Sequence, residues 1–100
     1  MKIYKTQEEV MADVKNKVLT VDDNVSFEFS FNLDISLQIA GDIVAWNINA
    51  RNINAGDITY YAFCCVYESI RCSSIKARRE KHYLPICLDG ELVVEKGEAK

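Results

Sequence analysis

Apolar and polar residues alternate without a break from Val25 to Ile39. Apolar side chains hold every odd position, and Ser, Glu, Asn, Asp or Gln fills every even one. A period of two is typical of an extended chain that buries one side. Because these 15 residues exceed the usual length of one strand, we expect one or two bends near Asn32 or Asp34.

A five-residue repeat follows this stretch and decides the predicted fold. Its unit reads Asp or Asn, Ile, any residue, Ala, any residue, and after a two-residue slip it returns with Ser in the first position. Ile and the small residue two positions later point the same way on an extended backbone. This spacing fits no helical period and predicts a short β-solenoid with strands stacked ~4.8 Å apart. The copies of the unit begin at Asp42, Asn47, Asn52, Asp57, Ser69 and Ser74.

The flanking segments complete a predicted single domain over residues 1–100, which is mainly β. Thr6 and Glu9 have the spacing of a capping box, and valines recur every four residues after them, so we expect a helix over 7–19 that caps the solenoid. The β repeat region spans 25–77, and closing strands span 83–95 around a tight turn at Asp89 and Gly90. The alternative fold is an antiparallel β-domain whose strands happen to contain Ile-x-Ala.

Length and charge restrict the class of function. The chain has 100 residues, of which 49% are hydrophobic and 27% charged, a balance typical of one soluble globular domain. Its net charge of −3 argues against a general nucleic-acid binder. The charged N-terminus and the absence of a long apolar run predict neither a secretory signal nor a membrane span, so we expect a cytoplasmic protein.

Three cysteines and the single histidine are the candidate chemistry. Cys64, Cys72, Cys87 and His82 lie in the last third of the chain, and such a set can ligate a structural Zn²⁺ with tetrahedral geometry. Cys64 is preferred to Cys65 because it shares the parity of the inward positions. The equally open alternative is a set of inert buried thiols, since Cys72 fills the Ala position of the repeat.

A basic and aromatic stretch is the candidate binding surface. Aromatic side chains beside Arg and Lys are enriched in protein interfaces, whereas a run of charges is also typical of a merely solvated surface. Trp46 lies at neither an Ile nor an Ala position of the repeat, so it can stand outward as an anchor or pack against the N-terminal helix. The candidate partner-binding residues are Trp46, Tyr61, Tyr67, Arg71, Lys76, Arg78, Arg79 and Lys81.

The stretch from Gly41 to Ile58, GDIVAWNINARNINAGDI, resembles small proteins encoded by streptococcal and related prophages and mobile elements. The resemblance extends over about residues 24–94 and implies a β-solenoid of variable repeat number. Some phage proteins of this size are anti-CRISPR proteins, one of them zinc-containing. The resemblance therefore implies a type II anti-CRISPR protein, a monomer or dimer in the bacterial host cytoplasm.

Such a protein would bind a type II CRISPR effector nuclease and block DNA loading or cleavage without catalysis, contacting neither nucleic acid nor membrane directly. In a variant of this mechanism, Asp34, Asp42 and Asp57 would mimic DNA phosphates. Two other functions stay open. One is a self-assembling structural solenoid of a mobile element, and the other is an enzyme that uses Cys64 or Cys65 with His82 as its base.

Overall fold

The computed structural model describes residues 1–94 and shows a β-solenoid of about four turns with one short N-terminal helix. Three sheets form its sides, and we number these faces 1, 2 and 3 in the order in which a coil meets them. Face 1 contains β1 (Lys2–Tyr4), β4 (Val25–Phe27), β7 (Ile43–Val44), β10 (Asp57–Tyr60) and β13 (Ser74–Ala77). Face 2 contains β5 (Phe31–Asn32), β8 (Ile48–Ala50), β11 (Cys64–Val66) and β14 (Ile86–Cys87). Face 3 contains β2 (Val14–Lys15), β3 (Val18–Val21), β6 (Ser36–Ile39), β9 (Asn52–Asn54), β12 (Ile70–Cys72) and β15 (Leu92–Val94).

The predicted solenoid is confirmed, and the antiparallel alternative is wrong. Each repeat unit supplies one face, so that Ile43, Ile48 and Ile53 lie on faces 1, 2 and 3. The next unit returns to face 1, where Ile58 pairs in parallel register with Ile43, 15 residues earlier. Three repeat units therefore make one coil.

The core is a stack of inward apolar side chains. Ile53 pairs in register with Leu37 on one side and Ile70 on the other, and all three side chains are buried. Moving one such side chain out of water is worth about 1.5–3 kcal/mol. Because every coil adds one residue to each stack, the repeat stabilises itself along the axis of the solenoid.

The alternating stretch from Val25 to Ile39 forms three strands, β4, β5 and β6, rather than one bent strand. Bends fall at residues 28–29 and 34–35. The second bend includes Asp34, as predicted, whereas the first lies earlier than the predicted position at Asn32. The chain must turn at each corner of the solenoid, so that the distance between corners, not the local turn propensity, places the first bend.

Polar side chains at the corner between faces 3 and 1 bind the next coil. The backbone N–H of Asp42 donates to Asn24 Oδ1, and that of Asp57 donates to Asp42 Oδ1, each over 2.8 Å. Ser74 Oγ in turn donates to Asp57 Oδ1. These residues precede the inward residue of each face 1 strand, and their bonds fix the register between coils. Gly41 belongs to the same corner, where a Cβ atom would lie 2.7 Å from the backbone nitrogen of Asn24.

The helix, α1 (Gln7–Asp13), is shorter than the predicted span of 7–19. Thr6 Oγ1 accepts a hydrogen bond from the N–H of Glu9, so the predicted N-terminal cap is confirmed. Asn16 and Lys17 have positive φ angles of 53° and 61° and turn the chain into the antiparallel pair β2–β3. Valines spaced by four also fit an extended chain. Because β3 pairs with β6, the residues after Asp13 form strands instead of continuing the helix.

The closing strands β14 and β15 form no hairpin. They lie on different faces and pair in parallel with β11 and β12, so Asp89 and Gly90 occupy a corner of the last coil. Glu95, the last residue of the predicted closing segment, lies outside the described residues. Across residues 1–94, no helix has the length and apolar character needed to cross a membrane.

Replacement of Ile53 by Ala tests the inward stack. The cavity left between Leu37 and Ile70 should lower the free energy of unfolding by about 2–5 kcal/mol, measured by urea denaturation. Asn54→Ala, on the same strand but with an exposed side chain, should change the value by less than about 0.5 kcal/mol. Equal effects of the two substitutions would contradict an inward Ile53.

Candidate functional site: an aromatic and guanidinium corner

Aromatic and basic side chains form a column at the corner between faces 1 and 2. Trp46 follows β7, Tyr61 follows β10, and Arg78 and Arg79 follow β13. The backbone N–H of Tyr61 donates to the carbonyl of Trp46, and that of Arg79 donates to the carbonyl of Tyr61, each over 3.0 Å. Successive coils therefore place these four residues on one another, and we call them the Trp46 corner.

The side chains of the Trp46 corner hold each other in place. The guanidinium carbon of Arg78 lies 5.2 Å from the Trp46 ring centroid and 6.0 Å from that of Tyr61. Arg78 Nη2 also donates to the carbonyl of Ala45 over 2.8 Å. A cation–π contact at an exposed site contributes roughly 0.5–1 kcal/mol. Arg78 thus fixes Trp46, which remains 44% exposed.

A shallow groove of about 450 Å³ runs beside the column. It combines an aromatic ring, a guanidinium group, a carboxylate and small side chains, which is the mixture that recognises protein side chains. Its lining residues are Ser26, Phe27, Glu28, Val44, Trp46 and Arg78.

Glu28 and Val44 were missed by the sequence analysis. Glu28 follows β4 as Trp46 follows β7, and the two strands pair with Val25 opposite Ile43, which is 18 residues later. The same 18-residue separation relates Glu28 to Trp46. The length of a coil is the signal that places Glu28 beside Trp46.

The other predicted partner-binding residues lie apart from Trp46 and Tyr61. Lys81 is in the connection that follows Arg79. Lys76 lies on the outer side of β13 opposite Thr59, and Arg71 lies on the outer side of face 3. Tyr67 follows β11, at the corner between faces 2 and 3. The structure therefore separates the eight predicted residues into the Trp46 corner and scattered positions on other sides.

The corner that contains Tyr67 holds an ion-pair network. Arg51 donates from Nε and Nη2 to the two carboxylate oxygens of Asp34 over 3.0 and 2.9 Å, and its Nη1 lies 3.6 Å from Glu68. Asp34 thus forms an ion pair with Arg51, while Asp42 and Asp57 accept hydrogen bonds at the corner between faces 3 and 1. All three carboxylates proposed to mimic DNA phosphates therefore have partners within the protein. Their mimicry of DNA stays a prediction.

The cysteines face in different directions. Cys64 and Cys72 point into the core and are buried, whereas Cys65 points outward and is half-buried. Cys87 pairs in register with the inward Val66. The inward orientation predicted for Cys64 is therefore confirmed. Cys72 occupies a core position, as expected for a residue at the Ala position of the repeat.

His82 is exposed, and its Nδ1 lies 2.8 and 3.0 Å from the carbonyl oxygens of Arg79 and Glu80. Within residues 1–94, no group of three or more His, Cys, Asp or Glu side chains is arranged to hold a metal ion. Burial raises the pKa of Cys64 to about 12, which disfavours the thiolate form in the metal-free protein. The zinc site of Cys64, Cys72, His82 and Cys87 stays a prediction.

Comparisons of the chain with protein-family models, curated proteins and solved structures find no match. The functional interpretation therefore depends on the geometry of the described residues and on the resemblance of the repeat.

Thiol alkylation tests the assignment of the buried cysteines. Because Cys65 is half-buried and Cys64 is buried, iodoacetamide at pH 8 should modify Cys65 in the native protein and leave Cys64 unmodified, with all four cysteines reacting in urea. Mass spectrometry of the peptides provides the measurement. Native labelling of Cys64 at the rate found in urea would contradict its burial.

The stability of the protein should also fall in alkaline solution. Because folding raises the pKa of Cys64 from 9.0 to about 12, the unfolded chain ionises this thiol first. The resulting contribution to stability is complete below pH 9 and is lost as the pH rises toward 12. Cys64→Ala should reduce the loss between these pH values, measured by urea denaturation against the wild type.

Proposed function

We propose that this protein is a non-catalytic binding module that docks onto a protein partner through the Trp46 corner. The observation that carries the proposal is the exposed Trp46 ring held by the Arg78 guanidinium at 5.2 Å. Trp, Tyr and Arg are the residues that most often dominate the binding energy of protein interfaces. Their stacking on consecutive coils gives one continuous surface rather than isolated side chains.

Rigidity supports this proposal. Trp46 and Tyr61 follow strands that pair with a strand on each side, and Arg78 and Arg79 follow the last strand of face 1. Arg78 is held by Trp46, Tyr61 and the Ala45 carbonyl. A side chain that is already ordered loses little conformational entropy when a partner binds. A protein of 100 residues can therefore bind tightly through a small surface.

The resemblance of the repeat region makes a type II CRISPR effector nuclease the first partner to test. In this proposal the solenoid occupies the surface that receives target DNA and thereby blocks DNA loading or cleavage. The Trp46 corner then supplies the specific contacts.

A cleavage assay with a guide-loaded type II effector tests the proposal. The wild-type protein should bind the effector and inhibit cleavage of target DNA. Trp46→Ala should raise the half-inhibitory concentration by about tenfold or more, because loss of a hot-spot aromatic residue costs about 2 kcal/mol or more. Arg78→Ala should act in the same direction by releasing the ring.

Tyr67→Ala provides the matched control, since Tyr67 is 48% exposed, close to the 44% of Trp46, but lies at a different corner. This variant should inhibit as well as the wild type. Equal losses for the Tyr67 and Trp46 variants would reject the Trp46 corner as the docking surface. Failure of the wild-type protein to bind or inhibit type II effectors would reject this class of partner.

A further inference from the structure

The C-terminal end of the solenoid core is open among the described residues. Leu92 and Val94 point inward like their register partners Ile70 and Cys72. They are nevertheless 37% and 38% exposed, whereas Ile70 and Cys72 are 0% and 1% exposed. Since β13, β14 and β15 are the last strands of their sheets, the end presents both an apolar surface and three strand edges.

The N-terminal end differs because the chain covers it. Val10 of α1 is fully buried, as are the inward residues Tyr4, Leu19 and Phe31 of the first coil. The N–H of Asn32, on the first strand of face 2, donates to Gln7 Oε1 of the helix. A strand edge that is covered in this way is protected from pairing with another chain.

The residues that follow β15 in the sequence are mostly charged. Residues 95–100 read Glu, Lys, Gly, Glu, Ala, Lys. Four of these six carry charge, and alanine is the only hydrophobic side chain. Within residues 1–94, the side chains of Leu92 and Val94 stay more than one-third exposed.

Charge distribution around the last coil selects the partner. The connection before β14 carries three exposed basic residues, Arg78, Arg79 and Lys81, and one exposed acid, Glu80. The corner after β14 carries exposed Asp89 and Glu91. A two-fold axis perpendicular to the solenoid axis and passing through face 2 exchanges these two corners. The basic corner of one copy then meets the acidic corner of the other, twice in each dimer.

We propose that a second copy of this chain covers the open end and forms a closed, two-fold symmetric dimer. In this arrangement β14 runs antiparallel to the β14 of its partner, and β13 of each copy meets β15 of the other. Because α1 packs on the first coil at the N-terminal end, that end lacks the open core needed for a second contact, and association stops at two copies instead of growing into a filament. Arg79 of the Trp46 corner takes part in this contact, and the proposal does not depend on the function of that corner.

Sedimentation equilibrium tests the dimer with the full-length protein. The wild type should be dimeric and show no larger species. Exchange of Asp89 and Glu91 for Lys should weaken dimerisation by about tenfold or more, because like charges then face each other. Adding Arg79→Glu and Lys81→Glu to that variant should restore the dimer, since the charges are complementary again.

Glu8→Lys with Asp22→Lys is the control, because it makes the same change in net charge with exposed residues outside the last coil. It should leave the dimer intact. Three results would overturn the proposal. The wild type could stay monomeric at its highest soluble concentration, or it could assemble without limit. The third is a fourfold variant that dimerises no better than the variant with Lys at positions 89 and 91.

Cross-linking tests the position of the two-fold axis. The axis places the Cys87 residues of the two copies on neighbouring β14 strands. In a Cys65→Ser variant, a short bismaleimide should therefore link the copies covalently, and Cys87→Ser should abolish the link. Cross-linking that persists without Cys87 would overturn the proposed axis. The sedimentation experiment tests the interface independently, because its variants keep all four cysteines.

Discussion

Stacking of inward apolar residues on consecutive coils is the interaction on which the structure depends. Each inward side chain contacts its equivalents one coil before and after, and the parallel backbone hydrogen bonds repeat with the same spacing. Hydrophobic burial and register are therefore one constraint, since a slip of one residue would turn every inward side chain toward water. The Asn24, Asp42 and Asp57 bonds reinforce that register from outside the core.

The same constraint creates the candidate site. A corner residue lies beside the corner residues of adjacent coils. Trp46 and Arg78 are 32 positions apart in the chain and meet because each occupies the corner between faces 1 and 2. Stacking thus brings distant residues of a linear repeat into one surface. The two ends of the stack differ: α1 covers the N-terminal one, and Leu92 and Val94 are partly exposed at the other.

The repeat unit was sufficient to predict the solenoid, because an Ile every five residues fits three faces per coil. The inward direction of Cys64 followed from parity alone. The end of α1 could not be read from Val14 and Val18, since valines spaced by four fit a helix, while pairing of β3 with β6 is a long-range interaction. Assembly of the Trp46 corner likewise required the coil length, which differs along face 1. It is 18 residues from Val25 to Ile43, 15 from Ile43 to Ile58 and 17 from Ile58 to Ile75.

The most direct test of the stacked solenoid is a set of nuclear Overhauser contacts between methyl groups of inward isoleucines in solution. A stacked solenoid should give contacts of Ile43 with Ile58 and of Ile53 with Ile70, together with backbone contacts in parallel register between the same strands. Contacts that instead join these strands in antiparallel order, or the absence of any contact between isoleucines one coil apart, would contradict it.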